Sequence, residues 1–243
     1  MIKPRKSKRE RLLARLPPLV GAVLEYKAPE FKHPEMDLGP FNGQKYRQKL
    51  FRELMHQIQF NAIVETGTYR GATTKFLAAE SDRPVYTIEY FPRFYYFSRI
   101  RLRKEKRVKS ALGDTRQFLT RLASDTNFPK QKVFFYLDAH WVLDDLPLRT
   151  ELEIIASGWE SAVIMIDDFQ VPGDEGYGYF EFLGDCLSME YLAPLEPLGF
   201  VPFFPATPSS AEGGARRGFV VLGHGDHTAK KLEQIALLRR MVR

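Results

Sequence analysis

The stretch AIVETGTYRGATT, residues 62–74, decides how the rest of the chain is read. Ala62, Ile63 and Val64 form a short apolar run of the kind a buried strand requires. Glu65 ends that run. Gly67 then permits a tight turn, and Gly71 permits close backbone approach as a helix begins. The order is Glu-x-Gly-x-x-x-Gly. It has neither the G-x-G-x-x-G spacing of nicotinamide sites nor the lysine of a phosphate loop.

On the N-terminal side, Tyr46, Leu50, Phe51, Leu54 and Ile58 recur at helical spacing and predict an amphipathic helix over 44–59. On the C-terminal side, strands and helices alternate. Strands are predicted at 62–65, 84–89, 108–112, 133–138 and 161–167, with helices at 72–80, 93–106, 114–123 and from Asp145 onward. A further helix is predicted at 177–192. Strands at 199–204 and 218–223 follow, then a C-terminal helix at 227–242. Such alternation implies an α/β fold: a Rossmann-like, doubly wound, mostly parallel seven-stranded sheet with helices on both faces. Residues 1–24 read as a basic arm, 25–60 as a lid or linker with its helix, and 61–243 as the domain proper.

Ligands in such sheets bind beyond the carboxyl ends of the strands. Here those ends repeatedly carry acids: Glu65, Glu89, Asp114, Asp138 and Asp167–Asp168. A desolvated carboxylate is costly unless it is paired, hydrogen-bonded or metal-bound, so packing does not explain the pattern. Glu89 lies 24 residues after Glu65, about where a doubly wound nucleotide site puts the acid that grips ribose hydroxyls.

IVETGTYRG, TIE and LGDTRQFL together resemble the motif series of class I S-adenosylmethionine-dependent methyltransferases. The resemblance implies that Glu65, Thr66, Gly67, Thr68, Tyr69 and Gly71 bind the cofactor, with Glu65, Gly67 and Gly71 along its methionine part. It implies Glu89 for the ribose hydroxyls, Asp114 beside the adenine, and Asp138 near the sulfonium.

LDAH (137–140) followed by MIDDF (165–169) resembles a narrower group, the metal-dependent sugar O-methyltransferases of the macrocin, mycinamicin and noviose type. That resemblance implies Asp138, Asp167 and Asp168 as ligands of Mg²⁺ or another divalent cation. Three carboxylates converging without a basic partner would call for such a cation. It also implies a general base two residues after Asp138. Several members have aspartate there and this chain has His140, which is a base, an additional ligand or a structural residue. Asp138 joins His140 in the expected catalytic set. A metal that chelates two neighbouring oxygens would lower a hydroxyl pKa, and histidine suits proton removal near neutrality.

The expected product is a methylated hydroxyl on a sugar, glycoside or other vicinal-hydroxyl small molecule. Trp141 is core or a platform for a sugar ring. Tyr177, Arg216 and Arg217 are candidates for acceptor contacts, while Asp144 and Asp145 read as helix caps. The segment GPFNGQKYRQ, residues 39–48, reads as a lid over the cofactor. Two other readings compete. Asp138-x-His140 also suits a metal-dependent glycosyltransferase, against which the turn at 65–71 argues. A non-catalytic module with the cofactor fold is the other, against which the intact acids argue.

Composition sets the outer bounds. The 243 residues are 44% hydrophobic and 27% charged, as in ordinary globular chains. The net charge of +6 resides in residues 1–15, which hold seven Lys or Arg and one Glu. A neutral remainder does not favour nucleic-acid binding, despite the basic-aromatic stretch at 93–109. Leu12–Leu24 is interrupted by Arg15 and Pro17–Pro18, so it is not read as a signal peptide. No run is long and apolar enough to be expected to span a membrane. The single cysteine, Cys186, leaves no disulfide framework and points to a cytoplasmic setting. Homo-oligomerisation is left open by the sequence.

Overall fold

Pairing runs outward in both directions from the strand that carries the opening stretch. The computed structural model describes residues 8–28, 38–139, 146–182 and 184–241. Helices α1 (Lys8–Leu13), α2 (Pro18–Lys27) and α3 (Lys45–Ile58) precede the sheet. Then β1 (Ala62–Thr66), α4 (Ala72–Ser81), β2 (Val85–Glu89), α5 (Pro92–Arg101), β3 (Val108–Leu112), α6 (Thr115–Ser124), β4 (Val133–Leu137), α7 (Leu148–Gly158) and β5 (Ala162–Asp167) alternate. A hairpin of β6 (Glu181–Phe182) and β7 (Asp185–Cys186) leads to α8 (Met189–Leu192). It is followed by β8 (Val201–Pro205), β9 (Phe219–His224), α9 (Asp226–Leu232) and β10 (Leu238–Arg240).

The main sheet has the order β10-β8-β9-β5-β4-β1-β2-β3. Strands β1 to β5 pair in parallel, while β9, β8 and β10 join antiparallel. The α/β class, the parallel centre and the flanking helices are as expected. The sheet has eight strands among the described residues, not seven. The extra one is β10, which lies inside the segment expected as a C-terminal helix. Helix α9 stops at Leu232, and Leu238–Arg240 pairs with the open edge of β8. The helix expected at 177–192 is also replaced, by the hairpin and the short α8. Gly184 there takes φ 93°, which does not continue a helix. Helix α2 runs through the boundary expected at residue 24.

Successive strand residues face opposite sides. Val64, Phe135, Leu137, Ile164 and Ile166 pack with α6 and α7 in one core. Ile63, Phe134, Tyr136, Val163 and Met165 pack with α3 and α4 in the other. By the same alternation Glu65, Asp138 and Asp167 belong to the α3/α4 side. The helix α3 stripe begins at Arg47, not Tyr46: Arg47, Leu50, Phe51, Leu54 and Ile58 are its buried residues, whereas Tyr46 is exposed.

Candidate active site

Strand order reverses between β1 and β4, since β2 and β3 lie beyond one and β5 beyond the other. A cavity of about 570 Å³ opens near this point. Gly67, Tyr69, Glu89, Asp114, Asp138 and Asn42 are among its lining residues. Gly67 has φ 89°, and a Cβ there would fall 2.5 Å from the carbonyl oxygen of Asp138. The turn therefore needs glycine for its conformation and for its contact with the end of β4. Gly71 has φ 73°, and its Cβ would press on Leu102 and Ser98 beside α5.

Glu89 is 5% exposed and anchors both sides of the cavity. Its Oε2 accepts from the Tyr69 amide at 2.7 Å and its Oε1 from the Phe91 amide at 2.9 Å. Burial raises its pKa to about 7. Asp114 caps α6 by accepting from the Arg116 and Gln117 amides, and its hydrogen bond with the Arg116 side chain holds its pKa low. Glu65 lies beneath the turn and is not a lining residue: one carboxylate oxygen accepts from the Thr74 and Thr87 hydroxyls, and Oε1 is buried without a partner among the described residues. Burial raises the Glu65 pKa to about 7. Thr66 is fully buried, and the Thr68 hydroxyl meets that of Thr87. Tyr69 lines the cavity, and its hydroxyl also has no partner among the described residues.

Asp138 after β4 and Asp167 at the end of β5 both approach the Tyr136 hydroxyl. Asp138 and Asp167 stand one residue beyond the paired Leu137 and Ile166, on one side of the sheet. The Tyr136 hydroxyl donates to Asp167 Oδ2 at 2.6 Å and lies 3.3 Å from Asp138 Oδ2. Burial, then the charges of Asp167 and Asp168, hold the Asp138 pKa well above the usual carboxylate range.

The premise that these carboxylates lack basic partners is not met. Arg47, fully buried on α3, forms an ion pair with Asp167. Arg217 forms one with Asp168. Asp167 Oδ1 accepts from Arg47 and from the Asp168 amide, while Oδ2 accepts from Tyr136 and from Asn42 Nδ2 at 3.2 Å. With two donors on each oxygen, Asp167 has its acceptor capacity filled by the protein. Among the described residues no group of three or more His, Cys, Asp or Glu is placed to hold a metal ion. The donor set as arranged does not fit a chelated divalent cation. Burial opposes charge on both arginines, but Asp167 holds the Arg47 pKa up and Asp168 holds up that of Arg217.

The segment read as a lid is built into this network. Phe41 is fully buried against Phe51, Phe76 and Tyr136. Phe41 and Asn42 both have positive φ, 50° and 56°, and the Asn42 side chain reaches Asp167. The Asn42 carbonyl accepts from the Ala215 amide, joining this segment to the 205–218 loop. Gln44 brackets Arg217, donating to its carbonyl and accepting from its amide.

A second buried ion pair sits behind the turn at Gly67–Gly71. Arg70 donates to Glu25 of α2, and its guanidinium lies 4.3 Å from the Tyr69 ring centroid.

The remaining expected residues fall elsewhere. Tyr177 is a core residue, 1% exposed, whose hydroxyl donates to the Thr207 carbonyl, so its body is not offered to an acceptor. Arg216 is exposed with φ 50°. Arg217 is engaged with Asp168. His140, Trp141, Asp144 and Asp145 lie outside the described residues. Arg47, Asn42, Tyr136 and the Glu25–Arg70 pair were not anticipated. The signal for Arg47 was available, as a charged residue in register with Leu50, Phe51 and Leu54.

No protein-family model matches the chain, and no curated protein does. Solved structures do. An O-methyltransferase from Bacillus cereus, in complex with SAH, matches at TM-score 0.55 and 16% identity, over 92% of this chain and 93% of that one. The O-methyltransferase TomG from Streptomyces achromogenes, involved in tomaymycin synthesis and in complex with SAM, matches at TM-score 0.55 and 14% identity, over 92% of each chain. The chain has the class I methyltransferase fold.

Proposed function

We propose that this protein is an S-adenosylmethionine-dependent O-methyltransferase acting on a hydroxyl of a small molecule. The observation that carries the reading is the cavity at the β1/β4 reversal, where Gly67, Glu89, Asp114 and Asp138 line one space. The residues fit the cofactor. Glu89 retains acceptor capacity for ribose hydroxyls after its two amide bonds. The Tyr69 hydroxyl supplies a polar atom without a partner among the described residues. Phe91, Phe94 and Pro147 give the cavity apolar walls. When bound, S-adenosylmethionine supplies a methyl group activated by a positively charged sulfur.

The chain's own contribution is orientation and proton handling. Asp138 lines the cavity with its pKa held high, which suits a carboxylate that accepts the acceptor's hydroxyl proton. Tyr136 and Asn42 tie Asp167 in place beside it, and Arg47 and Arg217 offset the neighbouring negative charge. His140 remains the alternative base by resemblance.

The LDAH and MIDDF resemblance is the support for a sugar, glycoside or other vicinal diol as acceptor, and for Mg²⁺. The first is retained as part of the proposal. The second conflicts with the pairing of Asp167 to Arg47 and of Asp168 to Arg217. The test is release of S-adenosylhomocysteine from S-adenosylmethionine over a panel of glycosides and catechols, with Asp138→Asn as comparison. Turnover of one class, lost in Asp138→Asn, supports the reading. Turnover that survives Asp138→Asn removes Asp138 as base.

A further inference from the structure

Helix α2 presents its residues the wrong way round for a helix that only packs on a domain. Its buried side is Gly21, Ala22 and Glu25. Leu19, Val20 and Leu24 are instead 51%, 46% and 37% exposed, and Leu12 of α1 is 50% exposed. At about 100° per residue, Leu19, Val20, Val23 and Leu24 share one outward arc, with Lys27 inside it. Scattered exposed leucines need no explanation, but an aliphatic face opposite a buried glutamate does.

Charge indicates what covers that face. Residues 1–15 hold seven basic side chains and one acid, and residues 93–107 hold seven and one. The rest of the chain has 22 basic and 28 acidic residues. These two segments each carry a net charge of +6 while the remainder is net acidic, and α2, which follows the first, packs on α5 of the second. Tyr26 of α2 stacks edge-on against Phe97 of α5 and is approached by Arg103 at 3.5 Å. Arg9, Arg11, Arg15 and Lys27, on or directly beside α1 and α2, are exposed, as are Arg103 and Lys104 just past α5.

We propose that the outward face of α1 and α2 docks on an anionic lipid surface. Aliphatic side chains at the centre with basic ones around them match an interfacial helix: the leucines enter the acyl boundary and the cations meet lipid phosphates and carboxylates. A nucleic-acid surface would use the cations but leave the aliphatic face unemployed. No described helix is long and apolar enough to cross a membrane, so contact is at the surface. The face is separate from the cavity, and the proposal does not depend on methyl transfer. It does reach the cofactor turn, because Glu25 on the opposite side of α2 holds Arg70.

The experiment is co-sedimentation of the full chain with vesicles of phosphatidylcholine alone and of phosphatidylcholine with phosphatidylserine. Wild-type protein is expected to bind the anionic vesicles, to bind neutral ones at least ~10-fold less, and to dissociate as salt rises. Leu19→Glu/Leu24→Glu is expected to reduce anionic-vesicle binding at least ~10-fold with an unchanged melting temperature, since both side chains are exposed. Arg9→Glu/Arg11→Glu/Arg15→Glu is expected to do the same. No binding to anionic vesicles overturns the proposal. So does binding that the leucine variant leaves intact, preferential binding of a duplex oligonucleotide, or a dimer in sedimentation that the leucine variant dissolves.

Discussion

Arg47 on α3 and Asp167 at the end of β5 form an ion pair in which neither side chain has exposed surface. The pair links α3 to the acids beside the cavity. Arg47 also donates to the Arg217 carbonyl and lies 4.6 Å from the centre of the Phe219 ring. Removing one partner leaves the other charge buried and uncompensated. Arg47→Ala is therefore expected to cost about 3–5 kcal/mol in urea unfolding. Combined with Asp167→Asn it should cost less than the two single changes added. A loss below about 1 kcal/mol for Arg47→Ala would show that this network is not a structural centre.

Gly67→Ala tests the proposed cofactor role of the turn after β1. The new methyl would enter at φ 89° and meet the Asp138 carbonyl at 2.5 Å. Gly173 has φ 78° with nothing within 4 Å, so Gly173→Ala controls for backbone strain alone. Both variants should lose some stability. Only Gly67→Ala should weaken S-adenosylhomocysteine binding, by at least ~10-fold. Equal losses of affinity in the two would remove Gly67 from the binding surface.

Cofactor affinity should depend on pH through Glu89. Its folded pKa is raised to about 7, so the buried acid favours folding where it is protonated. That contribution is lost as pH rises from the ordinary carboxylate range through about 7. Binding runs the other way, because a carboxylate accepts ribose hydroxyls better than a carboxylic acid does. S-adenosylhomocysteine is expected to bind about tenfold more tightly at pH 8 than at pH 6. Glu89→Gln should weaken binding and flatten the profile. A wild-type profile without slope would separate Glu89 from the ribose site.

The arginine pairing makes a prediction about metal. With Asp168 held by Arg217, Mg²⁺ added to the S-adenosylhomocysteine complex should give no saturable heat below about millimolar concentration. Arg217→Ala removes that pairing and should bind Mg²⁺ at least ~10-fold more tightly than wild type. Tight Mg²⁺ binding by the wild-type protein would mean that Arg217 leaves Asp168 on loading, and the metal expected from LDAH and MIDDF would be restored.

The parallel centre was legible in the sequence because five apolar runs of strand length alternate with helical segments, each run ending where a turn or an acid begins. The acids at the strand ends were legible for the same reason. What could not be seen was their charge balance. Arg47 and Arg217 come from positions 120 and 49 residues away from the aspartates they meet. Only the tertiary fold brings them together. The C-terminal strand was missed because Leu232, Ile235 and Leu238 are spaced as on a helix, while the open edge of β8 offers backbone partners that local periodicity does not register. The helix expected at 177–192 failed at Gly184, whose positive φ belongs to a turn.

The most direct test of the central claim is calorimetry of the wild-type chain with S-adenosylhomocysteine, run beside a nucleotide sugar. One saturable site for S-adenosylhomocysteine, weakened by Gly67→Ala and Glu89→Gln, is expected, with no heat from the nucleotide sugar. Saturable binding of the nucleotide sugar with none of S-adenosylhomocysteine would contradict that claim.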